Sequence, residues 1–225
     1  MQKKAAVILL SGGLDSATAL AVAVSEGYVC HCLSFDYGQK NRFELEAAAR
    51  LAADQAASHR ITRINLEAFG GSSLFLGEGA VPKDGTVSGI PSTYVPARNT
   101  IFLSYGLALA EVLDAEALFI GVNSVDYSGY PDCRPEFIAA FQKLADLGTR
   151  RGIRGRPMEI RAPLQFLSKS AIIRLGTGLG VDYSRTASCY DPLPSEGLAC
   201  GECESCRLRR EGFAEAGVAD PTRYR

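Results

Sequence analysis

Long apolar runs, excess charge and a Walker-type lysine are all missing from this 225-residue sequence. No apolar run reaches the roughly 18 residues of a membrane span, so we expect no membrane partner. The formal net charge is −1 and the pI is about 6.2. Because a nucleic-acid-binding surface is normally basic, we expect no direct nucleic-acid partner. The apolar run at residues 5–10 is too short for a signal peptide and leads straight into a glycine turn, so we expect a cytoplasmic protein.

Histidine is also scarce, since the chain contains only His31 and His59. Neither residue lies near Cys133 in the sequence, which argues against a histidine-activated cysteine nucleophile at that position. His31 lies between Cys30 and Cys32, but side chains alternate along a strand and His31 would point to the opposite face. We therefore interpret the two cysteines as small buried side chains rather than metal ligands.

Strand and helix patterns alternate along most of the chain. The strand patterns cover residues 5–10, 28–35, 59–66, 116–122 and 158–164, and the helix patterns cover residues 15–27, 42–57, 100–115, 135–151 and 168–180. Five successive strand–helix units predict an α/β fold with an open, doubly wound, parallel five-stranded sheet. Ligands of such sheets bind beyond the carboxyl ends of the strands. Residues 70–96 break the alternation, and their Gly, Ser and Pro content indicates a lid or a disordered segment.

The sequence SGGLDS follows the first strand and enters the first helix; we call residues 11–16 the glycine loop. A helix N-terminus has unpaired N–H groups and a positive partial charge, and glycines allow a phosphate to approach the backbone closely. The loop has no lysine and the wrong spacing for Walker or dinucleotide motifs. It therefore predicts a phosphate site of another kind, in which Asp15 either binds Mg²⁺ or caps the helix.

Further candidate residues follow the other strands. Asp36 ends the second strand, where it is either a ribose ligand or a solvated turn residue. Arg98 carries a forked donor group suited to a carboxylate or a phosphate. Lys169 begins a helix beyond the fifth strand and could supply the cation that the glycine loop lacks. The segment after the fourth strand combines polar and aromatic side chains suited to a purine-like ring: Asn123, Asp126, Tyr127, Tyr130, Asp132 and Arg134.

Four of the seven cysteines lie within residues 189–206, which we call the cysteine knuckle. Their spacing is Cys189-x10-Cys200-x2-Cys203-x2-Cys206. Four thiolates match the tetrahedral coordination of one structural Zn²⁺ per chain. An iron–sulfur cluster uses the same number of cysteines and is the alternative.

The glycine loop resembles that of the ATP pyrophosphatase (PP-loop) superfamily. Together, SGGLDS, STYVPARN, GVNSVDYSGYPDCRPEF, SCYDP and CGECESC resemble the 7-cyano-7-deazaguanine synthase family over residues 7–210. The resemblance implies an adenine nucleotide alpha hydrolase-like fold and a homodimer. It also implies an ATP-dependent ligase of queuosine biosynthesis that converts 7-carboxy-7-deazaguanine and ammonia to the nitrile 7-cyano-7-deazaguanine (preQ0). The chain has no room for a glutaminase domain, so ammonia would come from solution or a partner.

On this basis we expect residues 1–184 to form the ATP-binding domain and residues 185–225 a zinc-binding subdomain packed on it. We expect Asp15, Arg98 and Lys169 to be catalytic. The expected ATP and Mg²⁺ ligands are Leu10, Ser11, Gly12, Gly13, Leu14, Asp15, Ser16, Phe35 and Asp36. The expected substrate ligands are Tyr94, Arg98, Asn99, Asn123, Asp126, Tyr130, Asp132 and Arg134.

Two other functions stay open at this level, namely a tRNA-thiolating enzyme with the same ATP loop and a non-catalytic zinc module that binds nucleotide. The sequence also leaves open which phosphate bond of ATP is cleaved. The superfamily implies AMP and pyrophosphate, while ADP and phosphate are the alternative.

Overall fold

A computed structural model of the chain describes residues 4–83, 89–123 and 129–225. The strands are β1 (Ala5–Leu9), β2 (Val29–Asp36), β3 (Ser58–Arg63), β4 (Ala117–Phe119) and β5 (Glu159–Arg161). The helices are α1 (Leu14–Ser25), α2 (Phe43–Asp54), α3 (Arg98–Val112), α4 (Pro135–Gly148), α5 (Arg150–Ile153), α6 (Lys169–Gly178) and α7 (Glu204–Ala216).

The five strands form one parallel sheet in the order β3-β2-β1-β4-β5. The predicted open, doubly wound α/β sheet is therefore confirmed. The strand order reverses between β1 and β4, and this switch point opens a crevice at the carboxyl ends of the two strands. The glycine loop follows β1 directly, so the chain topology alone places it at the crevice.

Side-chain alternation along β1 assigns its residues to the two faces of the sheet. Ala6 and Ile8 pack in a cluster with residues of α1 and α2, whereas Val7 and Leu9 pack in a cluster with residues of α3 and α4. Because both faces are covered by helices, β1 consists entirely of apolar residues. A third cluster joins α1, α6 and α7 beside the crevice.

The helix pattern predicted at 135–151 is interrupted in the structure. Thr149 separates α4 from α5, and its hydroxyl accepts the Gly152 N–H at 3.1 Å. A threonine side chain that bonds to the backbone in this way competes with helix continuation. The predicted N-cap at Ser168 of α6 is present, because its hydroxyl accepts the Ala171 N–H at 3.2 Å.

Helix α7 was not predicted from the sequence. Its 13 residues include the last cysteine of the knuckle and pack against α6. The contact is close because Gly212 faces Lys169, and a Cβ atom at Gly212 would lie 2.4 Å from the Lys169 Cγ. The end of the chain pairs with the knuckle through a bridge between Ala199 and Tyr224.

Both ends of the Gly/Ser/Pro-rich segment are attached to the domain. Phe75 and Val95 are buried in the core, and the Lys40 ammonium donates to the carbonyls of Ser73 and Gly79 at 2.8 and 2.6 Å. Among the described residues, no helix is long and apolar enough to cross a membrane.

Candidate active site at the sheet switch point

A cavity of about 240 Å³ lies at the carboxyl ends of β1 and β4. Its walls come from the glycine loop, from the segments after β2 and β4, from the start of α3 and α6, and from the cysteine knuckle. Ligand pockets in open α/β sheets occupy this position. The cavity is thus the candidate active site.

Gly12 determines the shape of the glycine loop. Its φ of +90° lies in the left-handed region that favours glycine, and a Cβ atom there would lie 2.0 Å from the Glu44 carbonyl oxygen of α2. Gly13 has an ordinary φ of −80°, and a Cβ atom there would meet its nearest neighbour, the Ser11 hydroxyl, at 3.5 Å. The conformation and close packing at position 12 therefore require a glycine, whereas the space beside Gly13 is open to a ligand.

Hydroxyl oxygens accept the N–H groups of the glycine loop. Gly12 N–H donates to the Ser16 hydroxyl at 3.2 Å, Gly13 N–H to the Ser11 hydroxyl at 3.3 Å, and Leu14 N–H to the Ser188 hydroxyl at 3.2 Å. Neutral hydroxyls are weaker acceptors than the oxygens of an anion. A phosphate entering the cavity can therefore take over these donors.

Asp15 and Lys169 form an ion pair beside the loop. The Lys169 ammonium lies 2.8 Å from both carboxylate oxygens of Asp15, although the residues are 154 positions apart. The Lys169 side chain is 9% exposed and the Asp15 side chain is 25% exposed, so the pair is largely removed from water. The structure thus brings together two of the three predicted catalytic residues.

Arg98, the third, lies in another part of the cavity. Burial opposes its charge, but the neighbouring Tyr37 and Tyr130 and the Asp132 carboxylate raise the pKa of the guanidinium. Burial raises the pKa of Glu44, which also lines the cavity, to about 7, although Arg98 and a hydrogen bond from Gln39 oppose the shift. The cavity therefore holds a permanent cation near a carboxyl group that titrates close to neutral pH.

Most of the predicted ligands line this cavity. They are Leu10, Ser11, Gly13, Leu14, Asp15, Ser16, Phe35, Arg98, Asn99, Asn123, Tyr130 and Lys169. Other predicted ligands within the described part of the chain are not among the lining residues: Gly12, Asp36, Tyr94, Asp132 and Arg134. Asp126 and Tyr127 lie outside the described residues.

Two of the predicted substrate ligands bind each other. The Asp132 carboxylate accepts the Asn99 N–H in the first turn of α3, and the Asn99 amide donates to the Asp132 carbonyl, both at 3.0 Å. A carboxylate at this position satisfies an N–H group that the helix itself leaves unpaired. Arg134 is exposed, and its Nε donates to the Pro131 carbonyl. In this structure these residues join α3 to the turn before α4.

Asn123 and Tyr130 are buried on the cavity wall. The Asn123 amide donates to the carbonyls of Leu164 and Leu167, and the Tyr130 hydroxyl lies 2.8 Å from the Thr93 hydroxyl. Burial raises the pKa of the nearby Cys133 thiol to about 12. This shift agrees with the expectation that Cys133 is not a nucleophile, because the thiolate is the reactive form.

The four cysteines of the knuckle converge on one point. Their sulfur atoms all lie within 4.8 Å of one another, and all four residues are buried. Sulfurs about 2.3 Å from a tetrahedral Zn²⁺ lie roughly 3.8 Å apart, so the cluster matches this geometry. Cys189 Sγ accepts the N–H groups of Asp191 and Cys200 at 3.3 and 3.2 Å. Such bonds stabilise thiolates, so the donor set fits a metal ion.

The sequence analysis did not single out several polar residues that face the cavity, among them Gln39, Glu44, Ser188 and Arg209. Gln39 and Glu44 follow β2, where the position beyond a strand end was a usable signal. Ser188 adjoins the first cysteine of the knuckle, while Arg209 lies on the unpredicted helix α7. Nothing local in the sequence connects these last two residues to a site formed nearly 200 residues earlier.

Known proteins resemble this chain in sequence and in structure. Residues 5–217 match the sequence model of the family described as queuosine biosynthesis protein QueC. A 7-cyano-7-deazaguanine synthase from Saccharophagus degradans is 60% identical over 225 residues, which is 100% of this chain and 99% of that protein. One from Thiobacillus denitrificans is 61% identical over 223 residues, 99% of each chain. Among solved structures, NMN synthetase from Francisella tularensis is 21% identical with a TM-score of 0.49, covering 96% of this chain and 79% of that one.

Proposed function

Because this chain belongs to the QueC family of queuosine biosynthesis proteins, we propose that its cavity carries out the ATP-dependent conversion of 7-carboxy-7-deazaguanine and ammonia to 7-cyano-7-deazaguanine. Two relatives named 7-cyano-7-deazaguanine synthase are about 60% identical to this chain over essentially its whole length. The structural observation that carries the proposal is the glycine loop, whose N–H groups open onto the same cavity as Arg98 and Lys169.

A carboxylate is a poor electrophile and has to be activated before ammonia can displace one of its oxygens. A substrate carboxylate oxygen attacks the α-phosphorus of ATP, which forms an acyl-adenylate and releases pyrophosphate. Ammonia then attacks the carbonyl carbon, loses a proton and displaces AMP, which leaves an amide. Activation of the amide oxygen by a second ATP allows it to leave, so that loss of two protons from nitrogen gives the nitrile.

The protein contributes position and charge to these steps. The N–H groups and hydroxyls of the glycine loop bind the departing pyrophosphate, with the positive end of α1 behind them. Lys169 neutralises negative charge that develops on the phosphates. Arg98 orients the substrate carboxylate, and the buried polar and aromatic side chains around Asn123 and Tyr130 surround the deazaguanine ring.

Two metal ions complete this assignment. Asp15 offers the hard oxygen ligands that Mg²⁺ prefers, and Mg²⁺ supplies charge neutralisation to the triphosphate. The cysteine knuckle is assigned one structural Zn²⁺, since its four sulfurs leave no coordination position for substrate. In this role the knuckle and residues 185–225 act as a subdomain attached to the ATP-binding domain of residues 1–184. A homodimer in the cytoplasm completes the proposal.

A mass measurement tests the function. Purified protein is incubated with Mg-ATP, ammonium chloride and 7-carboxy-7-deazaguanine, and the expected product is the nitrile together with AMP and pyrophosphate. Release of ADP and phosphate would contradict the proposed step at the α-phosphorus. Protein that binds ATP but forms neither amide nor nitrile would favour a nucleotide-binding zinc module. Sulfur transfer to tRNA in a matched assay would favour a thiolating enzyme.

A further inference from the structure

Ser188 connects the glycine loop to the cysteine knuckle. Its hydroxyl accepts the Leu14 N–H at 3.2 Å, at the first residue of α1. Its carbonyl accepts the Ser205 hydroxyl at 2.6 Å, and its chain neighbour is Cys189. The Ser188 hydroxyl thus accepts an N–H group of the glycine loop, while the Ser188 backbone is held by a hydrogen bond from the knuckle residue Ser205.

Arg209 reaches the same place from α7 and is only 3% exposed. Its Nε donates to the Asp220 carboxylate at 3.2 Å, and its Nη2 donates to the Tyr183 carbonyl at 3.0 Å. Its Nη1 instead faces two hydroxyls, those of Thr186 at 2.8 Å and Ser188 at 3.3 Å. One side of the guanidinium is thus paired with a carboxylate, whereas within the described part of the chain Nη1, which lies next to the glycine loop, donates to neutral hydroxyls.

We propose that Ser188 and Arg209 complete the pyrophosphate-binding subsite opposite the glycine loop, and that the cysteine knuckle positions them there. The inference rests on the proposed function, because it assigns these residues to the phosphates of ATP. Both residues line the cavity together with the loop. They are positioning and binding residues for the leaving pyrophosphate and take no part in proton transfer.

The distances fit a shared phosphoryl group. The Leu14 nitrogen lies 3.2 Å and the Arg209 Nη1 lies 3.3 Å from the Ser188 hydroxyl oxygen, so their separation cannot exceed the sum of these distances. A phosphoryl group accepts charge-assisted hydrogen bonds at about 2.8 Å through several oxygens, so one group can reach both donors. Rotation of the Ser188 hydroxyl then releases Leu14 N–H and adds a further donor to the phosphate.

The knuckle determines where both side chains lie. Cys189 follows Ser188 directly, and Cys206 lies about one helical turn before Arg209 on α7. Because the four sulfurs meet at one point, a metal ion bound by them would tie the two segments together. The metal therefore supports phosphate binding without touching ATP.

Calorimetric titration with inorganic pyrophosphate in the presence of Mg²⁺ tests the proposal. Arg209→Lys keeps the charge but loses the fork, and we expect its Kd for pyrophosphate to rise about tenfold or more. Ser188→Ala removes the hydroxyl with little effect on packing and should raise the Kd about threefold. Adenosine affinity, metal content and Tm should stay near the wild-type values in Ser188→Ala.

Arg210→Lys is the matched control. Arg210 lies on the same helix, donates to the Gly201 carbonyl at 3.1 Å and stacks over Tyr224, and it is not among the described residues that line the cavity. We expect wild-type pyrophosphate affinity. A second comparison is kinetic, because loss of a phosphate contact should raise the KM for ATP in Ser188→Ala while leaving the KM for ammonia unchanged.

Unchanged pyrophosphate affinity in Ser188→Ala and in folded Arg209→Lys would overturn the inference, even if the wild-type protein makes the nitrile. Conversely, weakened pyrophosphate binding in both variants of a protein that makes no nitrile would support the subsite and contradict the proposed reaction. If Arg209→Lys fails to fold, Ser188→Ala alone decides the point.

Discussion

In both the glycine loop and the cysteine knuckle, side chains accept hydrogen bonds from backbone N–H groups, but the accepting atoms differ. Each extends into the first turn of a helix, α1 in one case and α7 in the other. Each points several backbone N–H groups at side-chain acceptors. In the loop the acceptors are serine hydroxyls, whereas in the knuckle they are cysteine sulfurs.

This difference in acceptors underlies the two proposed roles, a phosphate-binding site for the loop and a structural metal site for the knuckle. A hydroxyl is a neutral partner that an incoming phosphate can replace at little cost. A cysteine sulfur that coordinates a metal ion together with three others is fixed in position by the metal–sulfur bond, so the hydrogen bonds it accepts from N–H groups persist. We therefore expect changes in the loop to affect turnover first and changes in the knuckle to affect stability first.

The largest effect is expected from the knuckle. Cys203→Ser should abolish binding of one metal ion per chain and lower stability by about 5 kcal/mol, because metal binding contributes to folding. Metal analysis and thermal unfolding measure both quantities. Cys30→Ser is the control, since it alters a buried cysteine outside the cluster and should keep the metal. One zinc per chain without visible absorbance supports the assignment, whereas stoichiometric iron in anaerobically prepared protein would contradict it.

The loop should show the opposite behaviour. Asp15→Asn is nearly isosteric, but it removes the charge that pairs with Lys169 and the proposed Mg²⁺ ligand. We expect kcat to fall about a thousandfold, which corresponds to about 4 kcal/mol in the activation barrier, while metal content stays the same and Tm falls by only a few degrees. Steady-state kinetics and thermal unfolding would show this. A variant with near-wild-type turnover would remove Asp15 from the catalytic residues.

The two glycines of the loop allow a matched test. Gly12→Ala forces a side chain onto a positive φ and against the Glu44 carbonyl, and should cost about 3 kcal/mol of unfolding free energy. Gly13→Ala meets only ordinary contacts and should cost less than about 1 kcal/mol, while it still weakens ATP binding by crowding the cavity. Denaturant titration measures both unfolding free energies. Equal stability of the two variants would contradict the described loop geometry.

The smallest expected effect concerns pH. Burial raises the pKa of Glu44 from 4.5 to about 7, so the folded state disfavours the ionised form. The penalty is absent below about pH 4.5 and complete above about pH 7, and linkage over that interval gives about 3 kcal/mol. Because the Glu44 side chain is only partly buried, we expect the unfolding free energy to fall by about 2 kcal/mol. Glu44→Gln should remove this decline. If the difference between wild type and variant did not change with pH, Glu44 would not titrate in this range.

Much of the fold followed from local patterns. All five predicted strands and five of the helices are present, because apolar runs, helical periodicity and turn residues are local features. Helix α7 was not predicted because its sequence, ESCRLRREGFAEA, is dominated by charged residues rather than by an apolar stripe. Asn99 and Asp132 were interpreted as substrate ligands, but only the folded chain brings them together as mutual hydrogen-bond partners.

The sequence by itself predicted an anion site where a strand, a glycine loop and a helix follow one another, and it predicted a metal site at the four clustered cysteines. These properties depend on residues close together in the chain. Only the tertiary structure decided that Asp15 would pair with Lys169, and that Ser188 and Arg209 would reach Leu14 from the far end of the chain. Such contacts form when the sheet and its helices pack, because the free energy that brings distant side chains together comes from burial of the whole core.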